Sequence, residues 1–163
     1  MTTILKTMEL TLTRTIQAPL AEVFGAWMDP RHPGNPWSDA EKLIFDGRVD
    51  GPFYFMHVSR AGTQDARAQH DAALGLGAGE SWAHYGRFLA VERNRRVQYA
   101  WMSPFTRGLE SVVTVTFEKR GGATLVTLNH ANLPDDEGGR VHQRGWNDCL
   151  GVFGEQFSPP HLP

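Results

Sequence analysis

The sequence of 163 residues contains a single cysteine, Cys149. An internal disulfide bond is therefore excluded, and such sparse cysteine usage is typical of proteins from a reducing compartment. The sequence also lacks a run of about 18 apolar residues and a charged N-terminal segment followed by an apolar stretch, which are the signals of a membrane span and a secretory leader. We therefore expect a cytoplasmic protein without membrane insertion.

The charge balance provides no excess of positive charge. The formal net charge is -2 and the isoelectric point is near 6.4. The arginines at positions 93, 95 and 96 lie in a predicted turn between strands. Nucleic acid is therefore not an expected partner. The length favours one domain over residues 1–163, with a core from about 9 to 157.

Near the C-terminus, the segment HQRGWNDCLGVFGEQF spans residues 142–157. Its apolar and aromatic side chains recur at helical spacing, with polar residues between them. The resulting stripe consists of His142, Trp146, Cys149, Leu150, Phe153 and Phe157. The spacing predicts a long amphipathic helix that lies on an apolar surface and stops at residues 158–160.

Most of the remaining chain has the pattern of β-strands. Residues 9–17 alternate as a half-buried strand, and Ala18-Pro19 begins a short helix that ends near Pro30. Residues 31–40 are rich in turn signals and fit a loop or a second short helix. Six further strands are predicted at residues 43–49, 52–58, 84–92, 96–102, 111–119 and 123–130. Residues 60–80 have little periodicity, and we expect a mobile hairpin loop or the mouth of a cavity there.

These elements predict an α+β protein, in which one long helix covers an antiparallel meander. Alternation places Val97, Tyr99 and Trp101 on the inward face of one strand, and Val113, Val115 and Phe117 on that of the next. The strand PFYFMHV is apolar on both faces. Its inward set is either Tyr54, Met56 and Val58 or Phe53, Phe55 and His57.

The order of these segments resembles a known family. The sequence runs through LTRTIQAPLAEVFGAWMDP, GPFYF, GRFLAVERNRRVQYAW, SVVTVTFEKRGGATLVTLNH and HQRGWNDCL. It is similar to the activator-of-Hsp90-ATPase-homologue-like branch of the START/Bet v 1-like (SRPBCC) superfamily. The resemblance implies a helix-grip fold: a curved antiparallel sheet wrapped around a long C-terminal helix, with two short helices after the first strand. It also implies a cavity for apolar or amphipathic small molecules.

The residues that carry this resemblance are fold signatures more than catalytic ones. They are Gly86, Phe88, Arg96, Tyr99, Trp101, His130, His142, Gly145, Trp146 and Leu150. Two features depart from the family pattern. Pro52 stands where a second glycine is common, and the segment 60–80 has an unusual length and composition.

A metal or nucleophile site finds little support in the spacing. His142 and Cys149 share a helix face but lie about 10 Å apart along its axis. A zinc site would need the sheet to gather His57, His84, His130 and Cys149. We expect no metal and no cofactor, and an unreactive Cys149. A serine nucleophile has no supporting G-x-S-x-G motif.

The candidates for general acid or base chemistry are His57, His84, Tyr99 and His130. We favour the simpler interpretation that these groups orient a ligand or hydrogen-bond to one another. The aromatic residues Trp82, Trp101 and Trp146 are more typical of a core than of a binding site, although in a gripped cavity one residue can serve both purposes.

Three functions remain as hypotheses. The first is binding of a small apolar or amphipathic molecule, with these contact residues: Tyr54, Met56, His84, Tyr99, Trp101, Val115, Trp146, Cys149 and Phe153. The second is an enzyme of cyclase, dehydratase or hydrolase type in the same cavity. The third is a co-chaperone, ranked last because the activators that name the family carry an additional N-terminal domain. Whether the sheet edge pairs into a homodimer stays open.

Overall fold

A seven-stranded antiparallel sheet forms the frame of the protein in a computed structural model, which describes residues 6–65 and 67–157. Its strands are β1 (Thr7–Ile16), β2 (Lys42–Phe45), β3 (Pro52–Val58), β4 (Ser81–Glu92), β5 (Arg96–Met102), β6 (Ser111–Arg120) and β7 (Ala123–Pro134). The strand order is β1-β7-β6-β5-β4-β3-β2. Strands β2 to β7 therefore form the predicted meander, and β1 pairs with β7.

Within the described residues, three α-helices accompany the sheet: α1 (Leu20–Trp27), α2 (Ala68–Ala73) and α3 (Glu137–Glu155). Asp136 caps the N-terminus of α3: its carboxylate accepts a hydrogen bond from the Gly139 amide at 3.1 Å. The buried residues of α3 are Gly139, His142, Trp146, Leu150 and Phe153, which confirms the predicted inner stripe in its main members. The predicted stop at residues 158–160 lies outside the described residues.

The α+β helix-grip fold is confirmed, but the position of the second short helix is not. After α1 the chain forms turns held by Asn35, whose side-chain amide donates to the carbonyl oxygens of Ala26 and Trp27 at 3.1 and 2.8 Å. The Asn35 side-chain oxygen accepts from the Trp37 amide at 3.0 Å. The second short helix is α2, which follows β3 within the segment that was expected to be an irregular loop.

One end of the space between the sheet and α3 is filled by aromatic side chains, and we call it the packed end. The rings of Trp27 and Phe153 meet edge to face at 5.2 Å, and the Trp27 indole donates to the Tyr99 hydroxyl at 2.8 Å. Val115 and Phe153 are both fully buried. α1 supplies Trp27, so this short helix closes one end of the space.

β3 turns its phenylalanines inward. Phe53 is 1% exposed and Phe55 is 0% exposed, whereas Tyr54 and Met56 lie on the opposite face because side chains alternate along a strand. The expectation that Tyr54 and Met56 face the cavity is therefore wrong. Tyr54 instead has Ile44 and Tyr85 as its cross-strand neighbours on the outer face.

The neighbouring strand shows why a glycine is needed at position 86. A Cβ atom at Gly86 would overlap the carbonyl oxygen of Ala100 on β5. A side chain there would force β4 and β5 apart, since neighbouring strands in a sheet are only about 4.8 Å apart. In the described part of the chain, none of the helices combines the length and apolarity needed to cross a membrane.

Candidate functional site

A pocket of about 790 Å³ occupies the other end of the space between the sheet and α3, and we call this the pocket end. The sheet contributes His57, Trp82, His84 and Trp101 to its wall, and α3 contributes His142, Gly145, Trp146 and Cys149. Trp37 lines it from the turns after α1, and α2 covers one side. Aromatic and imidazole rings therefore form a large part of the pocket wall, beside aliphatic, polar and charged residues.

The structure brings together four of the nine predicted contact residues. His84, Trp101, Trp146 and Cys149 line the pocket. The prediction is wrong for the others: Tyr54 and Met56 face outward, and Tyr99, Val115 and Phe153 lie in the packed end. The inward direction of the latter three was predicted correctly, but the sequence does not show that α1 fills that end.

Sequence reasoning omitted Trp37, His57, Trp82 and His142 from the contact set. Two of them had a usable signal. Trp82 has the same parity as His84 on β4, so both side chains point to one face of the sheet. His142 precedes Trp146 by one helical turn and therefore lies on the same face of α3.

His130 is the centre of a buried chain of hydrogen bonds and does not line the pocket. Trp146 Nε1 donates to His130 Nδ1 at 3.0 Å, and Ser111 Oγ donates to the Trp101 carbonyl oxygen at 2.7 Å. The remaining contact joins His130 Nε2 and Ser111 Oγ at 2.7 Å. Since Ser111 has given its only proton to Trp101, the imidazole must donate from Nε2. His130 is therefore neutral and fully paired.

Six other polar atoms on the pocket wall have no hydrogen-bond partner among residues 6–65 and 67–157. They are Arg14 Nε, His70 Nδ1, Trp82 Nε1, His84 Nδ1, Trp101 Nε1 and His142 Nε2. Leaving a buried polar group unpaired costs about 1–3 kcal/mol. The pocket end thus contains unsatisfied hydrogen-bonding groups, whereas the polar atoms of the His130 chain are all paired.

Burial keeps the imidazoles of the pocket uncharged. Loss of solvent lowers the pKa of His57 to about 4. Burial, followed by the neighbouring His57, lowers the pKa of His84 well below its usual value. Burial also lowers the pKa of His142, although the backbone near Gly138 opposes this shift. These three groups are therefore neutral near pH 7.

Burial has the corresponding effect on the two acidic side chains of interest. It raises the pKa of Cys149 to about 12, so the thiol form dominates and Cys149 is a poor nucleophile. Burial likewise raises the pKa of Tyr99 well above the ordinary phenol value, and the hydrogen bond from Trp27 only partly offsets this shift. Neither group is ionised near neutral pH.

Several charged residues lie at the rim, where α2 approaches the rest of the protein. Arg67 Nη1 lies 2.6 Å from Asp39 Oδ2, and the Asp71 carboxylate accepts a hydrogen bond from the Arg60 amide at 2.8 Å. His70 Nδ1 lies 3.3 Å from Asp148 Oδ2 on α3 without forming a hydrogen bond. The segment that was expected to be a loop or a cavity mouth therefore contributes a short helix to the pocket wall.

The described residues also bear on metal binding. Among them, no three His, Cys, Asp or Glu side chains are grouped so that they could hold a metal ion. The four residues that a zinc site would have required occupy different places. His130 is hydrogen-bonded within the core, His57 and His84 line the pocket from the sheet, and Cys149 lines it from α3.

Comparison with known families agrees with this architecture. Residues 17–157 match the family described as activator of Hsp90 ATPase homolog 1-like protein. The chain belongs to this family. The resemblance inferred from the sequence is thereby confirmed, and with it membership of the SRPBCC superfamily. None of the curated proteins compared with the chain matches it.

Several solved structures share the fold. Protein CV1439 from Chromobacterium violaceum is 20% identical with a TM-score of 0.70, and the alignment covers 93% of this chain and 99% of that one. The AHSA1-like protein from Aeromonas hydrophila is 20% identical with a TM-score of 0.64, and the alignment covers 96% of this chain and 99% of that one. DynU16, from the dynemicin biosynthetic locus, is 19% identical with a TM-score of 0.63, over 90% of this chain and 46% of DynU16. At these identities the likeness establishes the fold alone.

Proposed function

We propose that the protein binds one small apolar or amphipathic molecule in the pocket between the sheet and α3. The observation that carries this proposal is the combination of a cavity of about 790 Å³ with aromatic walls and unpaired polar atoms. Pockets of about 300–1,000 Å³ with apolar walls and a few polar groups are typical of small-molecule sites.

The walls explain how such a molecule would be held. Trp101 and Trp146 pack at a ring distance of 5.0 Å, and Trp37 meets Trp146 edge to face at 6.3 Å. Burial of apolar ligand surface against these rings contributes about 25 cal/mol per Å². Planar rings also favour an aromatic guest, because stacked and edge-to-face contacts add to the effect of burial.

The hydrogen bonds and the pKa values of the four acid–base candidates favour ligand binding over acid–base catalysis. Tyr99 and His130 are hydrogen-bonded away from the pocket. His57 and His84 line it, but burial depresses the pKa of each. A general base works best when its pKa is near the working pH. These imidazoles are instead suited to hydrogen bonding in the neutral state.

The structural neighbours add general support for a small-molecule role. DynU16 comes from a biosynthetic locus, a setting in which small molecules are made.

We also infer a cytoplasmic location, because the only cysteine is a free thiol. Recovery of the native protein in a periplasmic or extracellular fraction of its source cells would contradict that location.

The binding proposal can be tested by native mass spectrometry of the purified protein and of two glycine variants. Gly145 lies on the pocket wall, and a Cβ atom there meets nothing within 4 Å. Gly145→Phe should therefore fill the pocket without disturbing α3. Gly25→Phe is the matched control, because a Cβ atom at Gly25 is equally free but lies on the exposed face of α1.

We expect a bound small molecule, or binding of a compound from a panel of fatty acids, flavonoids and polyketides, in the wild type and in Gly25→Phe. The occupancy should fall at least about ten-fold in Gly145→Phe, since the added ring competes for the same space. Denaturing extraction would then identify the compound. An empty wild-type protein whose tryptophan fluorescence ignores the whole panel would contradict the proposal, as would full binding by Gly145→Phe.

A further inference from the structure

The unpaired atoms of the pocket end indicate which chemical group of a bound molecule could supply their missing hydrogen bonds. Trp101 and His142, as whole residues, are only 2% and 6% exposed, and their unpaired nitrogens are shielded from bulk water. Buried polar atoms in folded proteins nearly always have a hydrogen-bond partner. Here the partner has to come from a molecule inside the pocket, because both residues form its wall.

The hydrogen-bonding role of each atom is fixed by its surroundings. His142 Nδ1 lies 2.8 Å from the Gly138 carbonyl oxygen, which can only accept, so Nδ1 carries the proton. His142 Nε2 is then a bare acceptor as long as the ring is neutral. An indole nitrogen can only donate, so Trp82 and Trp101 each offer an N–H. These three residues therefore present one fixed acceptor and two fixed donors to the pocket.

These groups are gathered around His84. The centroid of the His84 ring lies 4.7 Å from that of Trp101, 4.8 Å from that of Trp82 and 6.4 Å from that of His142. His84 Nδ1 is itself unpaired. An imidazole can present either a donor or an acceptor at that atom, so His84 adapts to whatever the other three residues hold.

These rings carry no charge. The imidazoles are neutral, and the two arginines of the pocket wall have contacts elsewhere: Arg67 is paired with Asp39 at the rim, and Arg14 Nη2 lies 3.4 Å from the Asn147 carbonyl oxygen. A carboxylate at the inner end of a ligand would face the lone pair of His142 Nε2 without a cation to balance it. A hydroxyl group matches the requirement, since it both donates and accepts.

We propose that the ligand carries a neutral hydroxyl at its inner end. This hydroxyl donates a hydrogen bond to His142 Nε2 and accepts one from the indole N–H of Trp101 or Trp82. The inference rests on the proposed function, because it names the ligand class of the same pocket. An alcohol or phenol on an aromatic body fits both the polar end and the ring-lined walls.

The test uses three flavones that differ at one ring carbon, which bears a hydroxyl, a methoxy group or hydrogen. Binding is measured by quenching of tryptophan fluorescence in the wild type and in His142→Phe. Gly145→Phe, whose added ring fills the pocket, is the control for quenching without binding in the pocket. The hydroxyflavone should bind the wild type about ten-fold more tightly than the methoxyflavone, because only the hydroxyl can donate to His142 Nε2. In His142→Phe this preference should fall to nearly one.

The alternative outcomes separate this inference from the proposed function. Equal binding of all three flavones would overturn the hydroxyl assignment while leaving small-molecule binding intact. A hydroxyl preference that survives in His142→Phe would overturn it as well. Binding of none of the flavones by the folded wild type would overturn the assignment, and the proposed function would fall with it only if native mass spectrometry also finds the pocket empty.

A second measurement covers the case in which His142→Phe does not fold. Nitrogen NMR of the wild-type histidine rings reports hydrogen bonding at His142 Nε2 directly. That resonance should move with the hydroxyflavone and stay in place with the methoxyflavone. A resonance that moves equally with both compounds would contradict the proposed hydrogen bond.

Discussion

The packed end and the pocket end lie between the same sheet and the same helix, yet they treat their polar atoms differently. At the packed end, Trp27 and Tyr99 satisfy each other through a hydrogen bond of 2.8 Å. At the pocket end, Trp101 and His142 each leave one nitrogen without a partner among the described residues. This difference is the observation that supports our proposal that another molecule binds at the pocket end.

The largest expected effect comes from opening the packed end. Phe153 is fully buried against Trp27, so Phe153→Ala should lower the free energy of unfolding by about 3–5 kcal/mol. Urea denaturation followed by circular dichroism would measure the loss. Val152→Ala is the control, because Val152 is 50% exposed on the same helix and should change stability by less than about 0.5 kcal/mol. Equal losses for the two variants would contradict the assignment of the packed end.

The pocket end should show its own dependence on pH. The pKa of His57 is about 4 in the folded protein, because of burial, and about 6.5 when unfolded. Between these values the unfolded chain binds the extra proton, so stability falls as the pH falls. His57 should contribute up to about 1.4 kcal/mol per pH unit in this window.

The measurement is a series of denaturation curves between pH 7 and pH 4 for the wild type and His57→Gln. The variant should lose stability less steeply on acidification. Identical slopes would mean that His57 is as well solvated in the folded protein as in the unfolded chain, which would contradict its placement in the pocket wall.

Removing a hydroxyl from the packed end should cost an intermediate amount. Tyr99→Phe keeps the ring but leaves the Trp27 indole N–H buried without its acceptor. The free energy of unfolding should fall by about 1–3 kcal/mol. Thermal denaturation at neutral pH would detect this loss, and an unchanged melting temperature would show that the Trp27 indole finds another partner.

The matched change at the pocket end should have the smallest effect. His84→Phe also removes polar atoms from an aromatic ring, but His84 Nδ1 has no partner to lose in the described structure. Stability should change by less than about 0.5 kcal/mol or rise slightly, since an unpaired buried group is removed. A loss as large as that of Tyr99→Phe would indicate that His84 is a paired core residue.

The contrast also explains what the sequence could and could not predict. Period-two alternation and helical spacing were sufficient for the strands and for α3, because each buries one face. The same reasoning could not predict the inward face of β3. Tyr54 lies beside Ile44 and Tyr85 on the outer face, so that face is apolar as well. Alternation cannot distinguish the inner from the outer face when the residues on both faces of a strand are apolar.

The candidate site was only partly predictable for a related reason. Tyr99 and Val115 point from the sheet toward α3, and Phe153 points from α3 toward the sheet, as expected. Trp27, however, packs against both Tyr99 and Phe153 and fills that end. Which end of the sheet stays open depends on where α1 packs, and no local pattern encodes that. α2 was missed because a helix of six residues is too short to show periodicity, and tertiary contacts such as the Asp71 hydrogen bond hold it in place.

The most direct test of the account is a proton–nitrogen NMR spectrum of the five tryptophan indoles, recorded with and without the hydroxyflavone. The indole proton of Trp101 or Trp82 should move downfield as it gains an acceptor, while that of Trp27 should stay in place because it is already bonded to Tyr99. A spectrum in which Trp27 moves as much as Trp82 and Trp101, or in which none of the three moves, would contradict the division into a complete and a ligand-completed end.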